Sequence, residues 1–163
     1  LSQAYAAIRY ASDLDRTLYF HINYNDLEAS KSPILQNIKS LFDNTENAEL
    51  VVHDWLSHEE FYQLCGTMDV GLQVSYSETF NIVAADLVAN NVPVVGSTEI
   101  DFISESNKAD MNSTNDIVRI LKKILKKSLF DIFFCNSNLL YDYSKESVRD
   151  WEIAIYQILS NPT

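Results

Sequence analysis

The sequence has 163 residues, 47% of them apolar and 12% aromatic, which suits one domain with a hydrophobic core and excludes an intrinsically disordered chain. The net charge is −11, from 12 basic and 23 acidic residues. This charge argues against broad binding to nucleic acid or anionic lipid, because phosphate contacts need clustered Lys and Arg. No apolar run approaches the ~20 residues that a membrane span requires, and the first residues do not resemble a signal peptide.

Helical and strand-like patterns alternate along the chain, and three Gly and three Pro leave no flexible linker. The first pattern is a helix whose apolar positions are Ala4, Ala7, Ile8, Ala11 and Leu14. Short apolar runs predict strands at 17–22, 49–53, 69–75 and 92–96.

Capping signals mark where the helices between these strands begin. Ser32 is a predicted N-cap with Pro33 at the first helical position, and Ser57 with Glu60 forms the capping-box pattern S-x-x-E. Another helix is predicted over 79–90, and the remainder of the chain after the last strand is predicted to be helical. Its apolar positions form two faces, at Ile117, Ile120, Leu121, Ile124 and Leu125 and at Val148, Trp151, Ile155 and Leu159.

Strands that are apolar throughout and separated by helices indicate a parallel sheet covered on both faces. The sequence therefore predicts a single α/β domain over 1–163 with a doubly wound, Rossmann-like sheet. In such folds ligands bind beyond the carboxyl ends of the strands. The loops after residues 22, 53, 75 and 96 are accordingly the places where a site is expected.

The cysteines and histidines give weaker signals. Cys65 and Cys135 are isolated in apolar contexts, which indicates reduced thiols and a cytoplasmic setting. His21, His53 and His58 lack ligand-like spacing, so no metal site is predicted, although His53 at a strand end is expected to line the cleft. The basic run KKILKK at 122–127 has an ordinary explanation, since cations at a helix C-terminus interact favourably with the helix dipole; contact with a membrane or a partner is the alternative.

The richest signal follows the third strand. Glu78 stands just past the strand end, a helix N-terminus follows at once, and Asp86 lies eight positions later. Free N–H groups and the positive end of the helix dipole attract phosphate, and a carboxylate can accept hydrogen bonds from vicinal sugar hydroxyls. The pattern therefore suits a nucleotide diphosphate. Two ordinary readings stay open: Glu78 as a solvated loop carboxylate and Asp86 as a polar position on a helix face.

A resemblance to a known family lies in the stretch SETFNIVAAD followed by VPVV. It is similar to the signature of retaining glycosyltransferases with the two-domain GT-B fold, especially the large family 4, in which two Glu separated by seven residues precede a small-Pro-Val-Val strand. The similarity runs from about Leu18 to Phe102 and more weakly to the C-terminus. HDWLSHEEFYQLCGTMDVGLQVS resembles the segment before the signature.

The resemblance implies the C-terminal, donor-binding half of such an enzyme, without its first strand and without the N-terminal acceptor-binding domain. The expected reaction is retaining transfer of a hexose from a nucleotide diphosphate sugar to a glycan or lipid-linked acceptor, with no cofactor or metal. The implied setting is cytoplasmic polysaccharide biosynthesis, peripheral at the inner membrane face in the full-length protein. The fragment alone is expected to be inactive.

The family's functional positions transfer residue by residue. Glu78 matches the first Glu, beside the transferred sugar, and Asp86 matches the second, which holds the ribose hydroxyls. The turn at 54–56, with Trp55 at its centre, matches the place of the base; Trp55 capping the core is the alternative. The backbone amides that face the sugar and diphosphate match Thr79, Phe80, Asn81 and Ile82.

Three departures from the family pattern stand out. Asp86 is one methylene shorter than the usual Glu, and Asn81 stands where Gly is common, so its Cβ narrows the approach to the sugar. The Arg and Lys that neutralise the leaving diphosphate lie upstream of the first helix in the family, so neither is assigned in this chain.

Two other functions remain as alternatives. A GT-B-like nucleotide-sugar epimerase would need a cluster of acid–base residues in the cleft. A non-enzymatic, doubly wound interaction domain would need a phosphorylatable Asp at a strand end, and Asp54 follows the strand ELVVH. The second alternative does not explain the motif that contains Glu78 and Asp86.

Overall fold

A computed structural model describes residues 1–24, 32–126 and 129–160, without the side chains of 129–137, 158 and 159. In these ranges the chain is a mixed α/β protein. The strands are β1 (Leu18–Asn23), β2 (Ala48–His53), β3 (Gly71–Gln73) and β4 (Val94–Gly96). The helices are α1 (Ser2–Ala11), α2 (Pro33–Asp43), α3 (His58–Cys65), α4 (Ile82–Ala89), α5 (Thr114–Lys126) and α6 (Leu129–Ser160), with a 3₁₀ turn at Glu105–Asn107.

The four strands form two parallel pairs. β1 pairs with β2 from Leu18↔Ala48 to Asn23↔His53, and β3 pairs with β4 from Gly71↔Val94 to Gln73↔Gly96. The four predicted strands and their parallel direction are confirmed. Within the described residues, however, they form two separate two-stranded sheets rather than one continuous sheet.

The second pair of strands is shorter than the apolar pattern indicates. The run 69–75 contributes only three residues, because the chain after α3 continues in a helical turn in which the Thr67 and Met68 amides donate to the carbonyls of α3. The partner strand begins at Val94, directly after Pro93, which has no N–H to donate to a ladder.

Helix α1 lies between the two sheets because its small residues form two faces. Ala4, Ala7 and Ala11 are buried with Leu18 and Phe20 of β1 and with α2. Ala6 is buried in a second cluster that contains Val74, Val95 and the apolar face of α5. The Gln3 amide donates to the carbonyl of Val74 at 3.4 Å. Helix α1 therefore contributes to the apolar clusters of both sheets.

The predicted capping signals are confirmed. Ser32 caps α2 by accepting from the Leu35 amide, with Pro33 in the first turn. Ser57 and Glu60 form both bonds of a capping box at the start of α3. Glu60 has a pKa below its usual range, chiefly because the Ser57 hydroxyl donates to its carboxylate and the Ser57 amide also does so.

The chain after β4 is largely helical, as predicted. The face of α5 is buried, whereas the C-terminal half of α6 exposes Val148, Trp151 and Ile155. Leu159, predicted on the same face, is outside the side chains that the structure describes. None of the described helices combines the length and the apolar character needed to cross a membrane.

Candidate functional site

The candidate site begins at the carboxyl end of β3. The strand ends at Gln73, the loop passes through Glu78, and α4 begins at Ile82. Glu78 is half-buried, whereas Thr79 and Ile82 are exposed. The position of this loop, between a strand end and a helix N-terminus, is where a parallel α/β unit binds ligands.

Asn81 connects the loop to the helix. Its side-chain oxygen accepts a hydrogen bond from the Ala84 amide at 2.8 Å, which makes it the N-cap of α4. Its side-chain nitrogen donates to the Glu78 carboxylate at 3.0 Å and to the Gln73 side-chain oxygen at 3.2 Å. Asn81 therefore has two structural roles, since it caps α4 and also donates to Glu78.

The start of α4 offers amide donors to an anion. Ala84 is satisfied by the cap, and the amides of Ile82 and Val83 have no acceptor within the helix, as at any helix N-terminus. These donors lie within the first turn, where the helix dipole is most positive. The arrangement is chemically suited to a phosphate group.

Phe80 attaches the loop to distant parts of the chain. Its ring lies 5.4 Å from that of Phe102 and 6.0 Å from that of Tyr143 on α6, between ring centroids. Phe102 and Tyr143 also contact each other, at 5.8 Å. Because Phe102 is buried, this aromatic group fixes the loop between β3 and α4 against the body of the protein.

Asp86 lies further along α4, about 6 Å from Ile82 along the helix axis. Its side chain is only 13% exposed and faces α3. Its Oδ1 is 3.4 Å from Nε2 of His58, while its Oδ2 is buried and accepts no hydrogen bond from the described residues. A buried carboxylate oxygen without a donor is costly, and at 13% exposure the Asp86 side chain is not on a solvated helix face.

The charge of Asp86 also acts on Cys65, at the end of α3. Burial, and after it the negative charge of Asp86, raises the pKa of the Cys65 thiol to about 11. Cys65 is free and buried, which confirms the prediction for this cysteine. The side chain of Cys135 is outside those that the structure describes. A thiol with this pKa stays protonated at neutral pH, so Cys65 is not a nucleophile.

Trp55 lies in the turn between β2 and α3. It is 81% exposed, so the alternative that it caps the core is wrong. The turn leads directly into His58, which contacts Asp86. Trp55 thus lies three positions before His58, the residue that contacts the buried carboxylate of Asp86.

The structure also joins two histidines that sequence spacing did not connect. Nδ1 of His21 and Nε2 of His53 are 2.9 Å apart, with ring centroids 5.2 Å apart and ring planes inclined by 17°. Because the centroids are so much further apart than the two nitrogens, the nitrogens lie on the line between the two ring centres. The rings therefore meet edge to edge and are nearly coplanar, which is the geometry of a hydrogen bond. Desolvation, and after it the neighbouring His53, lowers the pKa of His21.

Cations are placed elsewhere in the described part of the chain. The ion pairs of Lys and Arg there involve Asp13, Glu105 and Asp116 rather than Glu78. Among the same residues, no group of three or more His, Cys, Asp or Glu side chains is arranged to hold a metal ion.

Of the predicted site residues, the structure joins Glu78 and Asn81 directly, with Phe80 and Ile82 on either side of Asn81. Asp86 shares their helix but contacts His58. Gln73 was not predicted; its polar side chain between Leu72 and Val74 within the predicted strand was the available signal. The His21–His53 contact was not predicted either, because it depends on how the two strands are aligned.

Comparison with known proteins leaves the family open: no protein-family model matches the chain, and no curated protein matches it.

Proposed function

We propose that this chain is the donor-binding domain of a retaining glycosyltransferase of the two-domain GT-B type. The observation that carries the proposal is the combination of one carboxylate in the loop before α4 with another on α4 itself. Glu78 is held at the start of the helix, and Asp86, one turn further, has a buried oxygen that accepts no hydrogen bond from the described residues. We further propose that the two pairs of strands are parts of one doubly wound sheet, as in the C-terminal half of a GT-B enzyme.

The proposed ligand is a nucleotide diphosphate sugar that runs along α4. Its phosphates contact the amides at the helix start, because those donors have no acceptor within the helix. Its ribose hydroxyls donate to the Asp86 carboxylate, whose side chain is 13% exposed beside His58. The transferred sugar lies beside Glu78, and the acceptor is a glycan or a lipid-linked glycan bound by another domain.

The position of the base follows from the connection between α3 and α4. Trp55 precedes α3 by a short turn, and His58 in the first turn of α3 is 3.4 Å from Asp86. A nucleoside whose ribose meets Asp86 can therefore place its base against the exposed indole of Trp55, since an aromatic face provides stacking for any base. The proposal thus assigns the base to Trp55, the ribose to Asp86, the phosphates to the first turn of α4 and the sugar to Glu78.

Neutralisation of the diphosphate in this proposal begins with the helix dipole. The amides of the first turn of α4 and the positive end of its dipole stabilise negative charge without a metal ion. The ion pairs of the described Lys and Arg lie at other carboxylates. No described Lys or Arg is assigned to the leaving diphosphate in this proposal.

Calorimetric titration of the chain with a set of nucleoside diphosphates tests the proposal. We expect one of them to bind and Asp86→Asn to weaken that binding by about 1.5–3 kcal/mol, the usual contribution of hydrogen bonds to a charged group. Asp69→Asn makes the same charge change at an exposed position before β3 and serves as the control. If no nucleoside diphosphate binds the unchanged chain, the proposed function is wrong.

Kinetics of the full-length enzyme separates the roles of the two carboxylates. Glu78→Gln should reduce turnover far more than it weakens nucleotide binding, because this carboxylate contacts the sugar. Asp86→Asn should do the reverse. Equal nucleotide affinity of Asp86→Asn and the unchanged enzyme would show that the ribose assignment is wrong.

A further inference from the structure

We infer that Gln73 and Asn81 are positioning residues that hold the Glu78 carboxylate in one orientation beside the start of α4. The three side chains form a clamp in which a single amide nitrogen, Nδ2 of Asn81, donates to Oε1 of Glu78 at 3.0 Å and to Oε1 of Gln73 at 3.2 Å. The inference rests on the proposed function, since it assigns a role in the reaction attributed to Glu78.

The orientation of the Asn81 amide is determined by the helix. The Ala84 amide can only donate, so the atom of Asn81 that meets it at 2.8 Å must be the oxygen. The nitrogen is then the atom that faces Glu78 and Gln73. An amide flip would put two N–H donors against each other at the cap and two acceptors against each other in the clamp.

Every hydrogen-bonding group of the Asn81 side chain has a partner. Asn81 is only 6% exposed, and its oxygen and both of its amide hydrogens have partners. Gln73 is the last residue of β3 and pairs with Gly96 of β4, so the clamp is anchored in a sheet. A site residue is positioned most accurately when the groups around it belong to such rigid elements.

The consequence concerns the rotamer of Glu78. Glu78 lies in a loop, and a Glu side chain in a loop samples many rotamers, whose loss costs conformational entropy on each binding event. The hydrogen bond from Asn81 selects one of them before substrate arrives. Asn81 thereby performs two tasks at one position: it caps the helix whose amides face the phosphates, and it orients the carboxylate that faces the sugar.

Two substitutions separate orientation from helix capping. Asn81→Ser keeps a good N-cap but removes the amide donor. Gln73→Met keeps the length of the side chain and leaves the cap unchanged, but removes the acceptor that anchors the amide. Gln63→Met is the matched control, because Gln63 is exposed on α3 and its side-chain amide donates to Glu59, four residues away.

Nuclear magnetic resonance of the chain tests the clamp itself, without any activity. The two side-chain amide protons of Asn81 should be protected from exchange, and both should shift in Gln73→Met and in Glu78→Gln but not in Gln63→Met. Rapidly exchanging Asn81 amide protons that do not respond to these substitutions would overturn the inference.

Kinetics of the full-length enzyme tests the positioning role. Asn81→Ser and Gln73→Met should each lower kcat by about tenfold or more, as small misplacements of a catalytic group do, while the dissociation constant of the nucleoside diphosphate stays nearly unchanged. In a Glu78→Gln background the same substitutions should cause no further loss, because the group that they orient is already removed.

The outcomes distinguish this inference from the proposed function. If the unchanged chain binds a nucleoside diphosphate but the losses of Asn81→Ser and Glu78→Gln multiply, the positioning role is wrong and the proposed function stands. If the chain binds no nucleoside diphosphate, the proposed function fails, and the role assigned to the clamp fails with it.

Discussion

His21 and His53 are the residues whose contact responds most directly to pH. The pair can hold one proton between its two facing nitrogens, and a second proton there would place two N–H donors against each other. The other titratable groups on the same face of these strands are Tyr19 and Glu49, on β1 and β2 respectively. Desolvation and His53 lower the pKa of His21 from its ordinary value of 6.5.

The stability of the chain should therefore fall as the pH decreases below about 6.5. In that range the unfolded chain binds a proton at His21 that the folded chain still excludes, so protonation favours unfolding until the lower folded pKa is reached. Urea unfolding at pH 8 and pH 5.5 measures the effect. His21→Asn should reduce the difference between the two pH values, whereas Gln63→Met should leave it unchanged. An equal difference in His21→Asn would contradict the prediction.

Single residues of the site were predictable to different degrees. Glu78 and Asp86 could be found because their spacing and the following strand are local in sequence. The His21–His53 contact could not, because it depends on the register of two strands: His21 lies opposite Val51, so His53 comes two positions further on the same face. The clamp through Asn81 depends on the exact start of α4, and helix boundaries are the least certain part of a sequence pattern.

The packing of helix α4 on strand β3 depends on Gly71, which has no side chain. A Cβ built at Gly71 would lie 2.4 Å from Cδ1 of Leu87, which is itself buried. Leu87 therefore fills the space that any larger residue at position 71 would need.

We expect Gly71→Ala to destabilise the chain by about 1–3 kcal/mol, the usual range for overpacking a core. Gly96→Ala on the neighbouring strand is the control, since its Cβ would meet nothing closer than 3.3 Å. Urea unfolding of both variants makes the comparison. A smaller loss for Gly71→Ala than for Gly96→Ala would show that Leu87 moves aside without cost.

Helix starts that are marked by capping residues were predicted well. Strands that are indicated only by an apolar run were predicted less accurately. Ser32 with Pro33 and Ser57 with Glu60 marked helix starts because capping is a contact between neighbours in sequence. The extent of β3 and β4 was overestimated, because the length of a ladder is set by where its partner begins, and Pro93 delays that partner.

For the whole molecule, α1 is the element that unites the two sheets. Its two faces, with Ala7 toward β1 and Ala6 toward α5, belong to different core clusters. The sequence showed one small-residue helix but not that two sheets share it, because this requires contacts between residues far apart in the chain. The division of four strands into two pairs was missed for the same reason.

Ala6→Leu should therefore lower the stability of both sheets, by about 1–3 kcal/mol, although Ala6 packs only with the second one. Tyr5→Leu, at an exposed neighbouring position, should change stability by no more than about 0.5 kcal/mol. Hydrogen exchange of amides in β2 and β4 measures the two sheets separately. A loss of protection confined to β4 would mean that the sheets unfold independently.

Val148, Trp151 and Ile155 form an exposed apolar stripe on α6, and this stripe affects how the protein behaves in concentrated solution. At neutral pH the charge of −11 makes the molecules repel one another and keeps Val148, Trp151 and Ile155 of different molecules apart. Near the isoelectric point, pH 4.5, this repulsion disappears while the stripe remains. Mild acidification should therefore make the solution turbid, and the turbidity should be lower when Trp151 is replaced by Gln.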